Sequence, residues 1–277
     1  MRILTLVLIA LCLAACGGGN NAAPAGGANT EVLPPKNAGP NDHLKAIELR
    51  DRAAKLITEG DNTGAAELAE QAAKLDPNEP TVHDQLGFIY ENLGRFDDAI
   101  ESYARAAERF EGKDRRRVAS AAVGCALKLT AKFLQAGKLE EAESAAKRGL
   151  EFSPDSYELT MQLGKVRFEG AVYDAAADAF DSAAGLVAGT PHYEALSWRG
   201  QSEFFGGEYE KAVATYTRLI DEGATGYEAY GWRAYSNFKL NRLDDAEMDF
   251  QVAAARTADP IKRGDYDEAL KQLAERK

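Results

Sequence analysis

The chain has 277 residues, 45% of them hydrophobic and 28% charged, which is enough apolar material to bury a core and excludes disorder along its whole length. Lys and Arg total 33 against 44 Asp and Glu, a formal charge of −11, so the basic field that nucleic-acid binding requires is missing. The three cysteines, Cys12, Cys16 and Cys125, show no metal-ligand spacing and make no disulfide framework; neither a metal nor a cofactor is expected.

After Met1 and Arg2, the run from Ile3 to Ala15 is apolar except for Thr5. As a helix it would be about 20 Å long, short of the roughly 30 Å hydrocarbon core of a bilayer. The order of charge, apolar stretch and small residues therefore reads residues 1–15 as an export signal. Leu13-Ala14-Ala15-Cys16 resembles the lipobox of bacterial lipoproteins. That resemblance implies cleavage before Cys16, a diacylglycerol on its thiol and acylation of the new amino terminus. Several acyl chains anchor stably where a single one binds marginally. Gly17, in place of an aspartate after the cysteine, fits the outer membrane, with the protein facing the periplasm. Residues 16–42, rich in Gly, Pro, Asn and Ala, read as the lipidated cysteine and a flexible tether reaching roughly 25–30 Å.

From His43 onward one phrase recurs: a turn, an aromatic or aliphatic residue, two mostly acidic residues, then Ala. Its copies are Arg95-Phe96-Asp97-Asp98-Ala99, Lys138-Leu139-Glu140-Glu141-Ala142, Val172-Tyr173-Asp174-Ala175-Ala176, Glu208-Tyr209-Glu210-Lys211-Ala212 and Arg242-Leu243-Asp244-Asp245-Ala246. A weaker copy, Asn62-Thr63-Gly64-Ala65, precedes them. The six alanines lie 34, 43, 34, 36 and 34 residues apart. The nine extra residues of the long interval fall around Phe110 to Ala122, as a longer loop or an extended helix. That segment carries Lys113 and Arg115-Arg116-Arg117, either a basic clamp or a solvated helix start. The acidic pairs sit where a second helix begins and suit its amide dipoles better than they suit acid-base catalysis.

These features resemble the tetratricopeptide repeat, a helix-turn-helix unit of about 34 residues. The second copy carries it best, with Leu86-Gly87 at positions 7 and 8, Tyr90 at 11, Ala99 at 20, Tyr103 at 24 and Ala106 at 27. Leu163-Gly164, Gly200 and Ala234 fill the 7 and 8 region later, and Phe180, Tyr216 and Phe250 fill position 24. Position 11 departs from the pattern as Arg167, Glu203 and Asn237. The resemblance implies an all-α, right-handed α-solenoid. Six repeats span residues 43–258, at about 46–79, 80–113, 123–156, 157–190, 193–226 and 227–258, and a capping helix covers 259–277.

In this family the concave wall is made by first helices and commonly holds peptide segments. The implied register puts Trp198 and Trp232 at position 6, Phe204 and Phe238 at 12 and Tyr235 at 9, an aromatic strip that either faces the groove or packs between repeats. Glu158, Glu194 and Glu228 share position 2 and give that wall an acidic edge or a solvated face. Cys125 reads as a buried apolar residue, and His43, His83 and His192 make no local metal pair. The expected function is non-enzymatic: a membrane-anchored scaffold or adaptor for protein or peptide partners in the cell envelope, aiding assembly of an envelope complex. A small-ligand or enzymatic platform and a self-associating structural lipoprotein are the alternatives, and oligomeric state is left open.

Overall fold

The computed structural model describes residues 38–224 and 226–276, and the export signal, Cys16 and the tether up to residue 37 lie outside the described residues. Among the described residues the chain is a row of thirteen helices without strands. They pair as α1 (Pro40–Glu59) with α2 (Asn62–Leu75), α3 (Pro80–Asn92) with α4 (Phe96–Arg109), and α5 (Gly112–Gln135) with α6 (Leu139–Phe152). Next come α7 (Tyr157–Glu169) with α8 (Tyr173–Leu186), α9 (Thr190–Phe205) with α10 (Tyr209–Asp221), and α11 (Tyr227–Lys239) with α12 (Leu243–Arg256); α13 (Pro260–Arg276) closes the row. None of these helices is long and apolar enough to cross a membrane.

Each hairpin is made by the same device. The first helix ends on a residue of positive φ, and the six such residues are Gly60, Gly94, Gly137, Ala171, Gly207 and Asn241. Their intervals repeat those of the six alanines. At each turn a backbone N–H reaches back to the last turn of the helix, as Arg95 N to Tyr90 O at 2.8 Å and Val172 N to Arg167 O at 2.9 Å, the Schellman pattern. Five residues later the second helix presses its alanine against the first. Ala65, Ala99, Ala142, Ala176, Ala212 and Ala246 are each 0% exposed. Small residues there let the helices approach while Tyr103, Phe180, Tyr216 and Phe250 fill the neighbouring space.

Two boundaries follow from local chemistry. Helix α1 starts at Pro40, inside the segment read as tether, because a proline at the first helical position lacks only an N–H that has no partner there. The nine extra residues extend α5 to 24 residues instead of forming a loop, with Val118 and Ala122 fully buried on the added turns and Arg117 bound to both carboxylate oxygens of Asp84.

Successive helices pack against one another throughout, and no repeat has a core of its own. The close pairs beyond nearest neighbours all involve first helices: α1 with α3, α5 with α7 and α9 with α11. The stack therefore curves toward its first helices, and a concave face is lined by them.

Candidate functional site

On that face a cleft of about 560 Å³ opens between α9 and α11. Thr190, Tyr193, Glu194, Ser197 and Trp198 form one wall, and Gly226, Glu228 and Ala229 form the other, with Leu219, Gly223 and Ala224 completing the lining. The α9 wall is pinned at its start. His192 Nδ1 lies 2.8 Å from Ala184 O, its Nε2 2.8 Å from a Glu222 carboxylate oxygen, and the Tyr193 hydroxyl donates to Glu222 O at 2.6 Å. Arg218, and then His192, hold the Glu222 carboxyl below its usual range. The small residues of the α10–α11 turn leave the cleft its room. Glu158, Glu194 and Glu228 are all exposed, so the wall carries a row of carboxylates, and Lys165 Nζ reaches Glu194 at 3.6 Å.

The five strip aromatics are all half-buried; Trp198, Phe204 and Trp232 touch rings of a neighbouring repeat, and Tyr235 touches Tyr266 of the closing helix. Position 12 of one repeat meets position 6 of the next: Phe168 and Trp198 centroids are 5.5 Å apart, and Phe204 and Trp232 are 5.3 Å apart. Phe205 links Phe168 to Trp232, and Tyr235 continues the path to Phe250 and Tyr266. Phe238 stands apart, capped by the Arg276 guanidinium at 4.3 Å. Only Trp198 of the five lines the cleft, where it also stacks on Phe180 at 5.6 Å. The tryptophans thus join repeats with one part of each ring and keep the rest at the surface.

Beneath the aromatics lies a polar layer that the repeat pattern did not foretell. Arg199 and Arg233 occupy position 7, an apolar place in the second and fourth repeats. Arg199 pairs with Asp181 of the preceding second helix and with Glu203 at 2.9 Å, while Thr215 donates to Glu203 at 2.7 Å. Arg233 grips Asp249 through Nε and Nη2 at 2.7 and 2.8 Å and reaches Thr217 at 3.2 Å. Glu203 and Asp249 are 5% and 3% exposed, so these pairs work in shielded surroundings. The signal was present as a basic residue in an apolar slot, with a polar residue at position 11 or 23 to receive it.

Comparison with known proteins supplies the family. Sequence models of the tetratricopeptide repeat match residues 56–122, 163–227 and 199–260, together more than half of the chain. The chain is a tetratricopeptide-repeat protein. It is 27% identical over 172 residues, 62% of its length, to the BBSome complex member BBS4 of Bos taurus, and spans 31% of that protein. A structure of Naa15/Naa10 bound to HypK-THB superposes with a TM-score of 0.59 at 18% identity, covering 85% of this chain and 34% of that one, which supports the fold. A tetratricopeptide repeat protein from Parabacteroides merdae aligns with 83% of this chain and 99% of its own at 16% identity and a TM-score of 0.41. A tetratricopeptide-repeat fold is a scaffold for protein-protein interaction.

The remaining reactive groups of this tetratricopeptide-repeat protein take structural places. Cys125 is fully buried in α5, and burial followed by the nearby Glu91 carboxylate pushes its thiol up to about 12, which leaves it protonated and unreactive. His83 is buried with Nε2 2.8 Å from Pro77 O. His43 lies 2.7 Å from Asp76, a residue 33 positions away, with Glu79 beside them at 3.8 Å. No local spacing announces that meeting, because only the stacking of α1 on the α2–α3 turn creates it.

Proposed function

We propose that the chain is a lipid-anchored scaffold of the bacterial envelope, held through Cys16 on the outer membrane and facing the periplasm. Its C-terminal repeats receive an extended, positively charged segment of a protein partner during assembly of an envelope complex. The cleft between α9 and α11 carries the binding half of this reading. It sits on the concave face, offers Trp198 as apolar contact and carries exposed Glu194 and Glu228 on opposite walls. Aromatic surface supplies contact area at low entropic cost, and the carboxylates select for positive charge. The anchoring half is supported by Leu13-Ala14-Ala15-Cys16, which follows an apolar run too short to span a bilayer.

Crosslinking in the native cell, followed by identification of the captured protein, tests the first half. Glu194→Lys combined with Glu228→Lys changes only exposed side chains and should abolish capture with helicity unchanged, as should Trp198→Ala with Trp232→Ala. Undiminished capture by the charge-reversed chain removes the cleft from the reading. Cys16→Ser tests the second half: it should move the chain from the membrane to the soluble fraction and remove incorporated fatty acid.

A further inference from the structure

We propose that His43, Asp76 and Glu79 form a binding site for a divalent transition-metal ion of zinc's class, which fastens the first helix of the stack to the α2–α3 turn. The three side chains come from separate places: His43 from the first turn of α1, Asp76 from the end of α2 and Glu79 from the start of α3. Their donor atoms lie within 4.8 Å of one another, with His43 Nδ1 at 2.7 Å from Asp76 Oδ2 and 3.8 Å from Glu79 Oε2. Donors sharing a tetrahedral ion at about 2.1 Å stand about 3.4 Å apart, and the two distances from His43 Nδ1, 2.7 and 3.8 Å, bracket that spacing, so small side-chain adjustments around the exposed histidine suffice to admit an ion.

The two carboxylates are already aimed. Asp76 Oδ1 accepts from the Asn78 backbone N–H at 3.2 Å. Glu79 Oε1 accepts from the Thr81 N–H at 3.2 Å and the Thr81 hydroxyl at 2.6 Å, and that hydroxyl in turn accepts from Arg50 at 2.8 Å. Each carboxylate is thus held through one oxygen and presents the other, Oδ2 or Oε2, toward the imidazole. Outer partners that orient ligands in this way are a regular part of metal centres. Two anionic oxygens brought together at a largely shielded turn repel each other, and a doubly charged ion between them removes that repulsion. One imidazole nitrogen and two carboxylate oxygens favour zinc and its first-row neighbours over calcium or magnesium, which take oxygen ligands. The His43 side chain is 46% exposed, so water has access to the remaining coordination positions.

The placement gives the ion a mechanical role. Helix α1 is the end of the described stack and starts from Gly39 without a side-chain cap. Terminal repeats lack one neighbour and open first. An ion bridging α1 to the α2–α3 turn would order this end of the described stack.

Calorimetric titration of the full chain with Zn(II), together with amide hydrogen exchange, tests this. One site per chain is expected, with exchange in α1 slowed by the ion. His43→Gln and, separately, Glu79→Gln, which keeps an oxygen for Thr81, should each weaken binding at least tenfold and abolish the protection. His192→Ala should change neither. Absence of Zn(II) binding, an affinity in either glutamine variant unchanged from that of the native chain, or binding that leaves α1 exchange unchanged would each overturn the proposal.

Discussion

Gly164 and Phe180 meet where α7 crosses α8: a Cβ built on Gly164 would stand 2.6 Å from Cε1 of the fully buried phenylalanine ring. Gly87 meets Tyr103 and Gly200 meets Tyr216 at the same 2.6 Å, so glycine sets the crossing distance in three repeats. Gly164→Ala should therefore destabilise the chain. The forced shift of packed atoms costs about 1–3 kcal/mol, against a helix-propensity gain of about 1 kcal/mol. A lower urea midpoint at unchanged helicity is the expected result. A raised midpoint would mean that the helices separate freely at this crossing.

Ala171 supplies the opposite case. Its φ of 57° places a β-carbon in the left-handed region at a turn where four of the other five repeats use glycine. That conformation costs a non-glycine residue about 1–2 kcal/mol, part of which glycine returns through its larger unfolded-state entropy. Ala171→Gly is expected to stabilise by about 0.5–1 kcal/mol, and Gly137→Ala, at the equivalent turn with φ of 70°, to destabilise. Denaturant titrations of the two variants should shift in opposite directions.

The buried Arg233–Asp249 pair predicts strong non-additivity. Arg233→Leu leaves the Asp249 carboxylate, 3% exposed, without its guanidinium and should cost about 3 kcal/mol or more. Adding Asp249→Ala removes the stranded charge, and the double variant should recover most of that loss, since leucine is the residue found at position 7 in the second and fourth repeats. Additive single effects in a double-mutant cycle would show that the pair contributes little beyond its packing.

The parts of the fold that were legible in the sequence are those set by one repeat acting on itself. Ala99 and Gly164 are read from spacing because the crossing of two helices within a hairpin repeats at each copy. The sequence is compatible with either a loop or a helix at the extension of α5, since only Val118 and Ala122 packing against neighbours decides it. Contacts between repeats were less visible. Register places Trp198 and Trp232 on the first-helix face, but it does not state that Phe168 and Phe204 of the preceding repeat wedge against them. Arg199 and Arg233 were visible as exceptions to an apolar position, whereas their partners on flanking helices required the stack itself. His43 and Asp76 are the extreme case, brought together across 33 residues by helix packing alone.

His83 predicts a pH dependence with a definite sign. Burial lowers its basicity below the ordinary imidazole value, outweighing the opposing pull of the Pro77 carbonyl and of Asp76 and Glu108. The folded chain therefore holds His83 neutral at a pH where the unfolded chain, titrating at about 6.5, has begun to take up a proton. Over that window the unfolded state binds more protons, so stability rises with pH and falls on acidification below about 6.5 until the lowered folded-state value is passed. His83→Gln removes this titration while leaving an amide that can donate to Pro77 O. Comparing the two chains by chemical denaturation between pH 7 and pH 5 isolates the effect from the carboxylates that titrate in both. The stability of the native sequence relative to the glutamine variant should drop steadily as the pH is lowered. A difference that stays constant across the range would show that His83 is not held neutral by its burial.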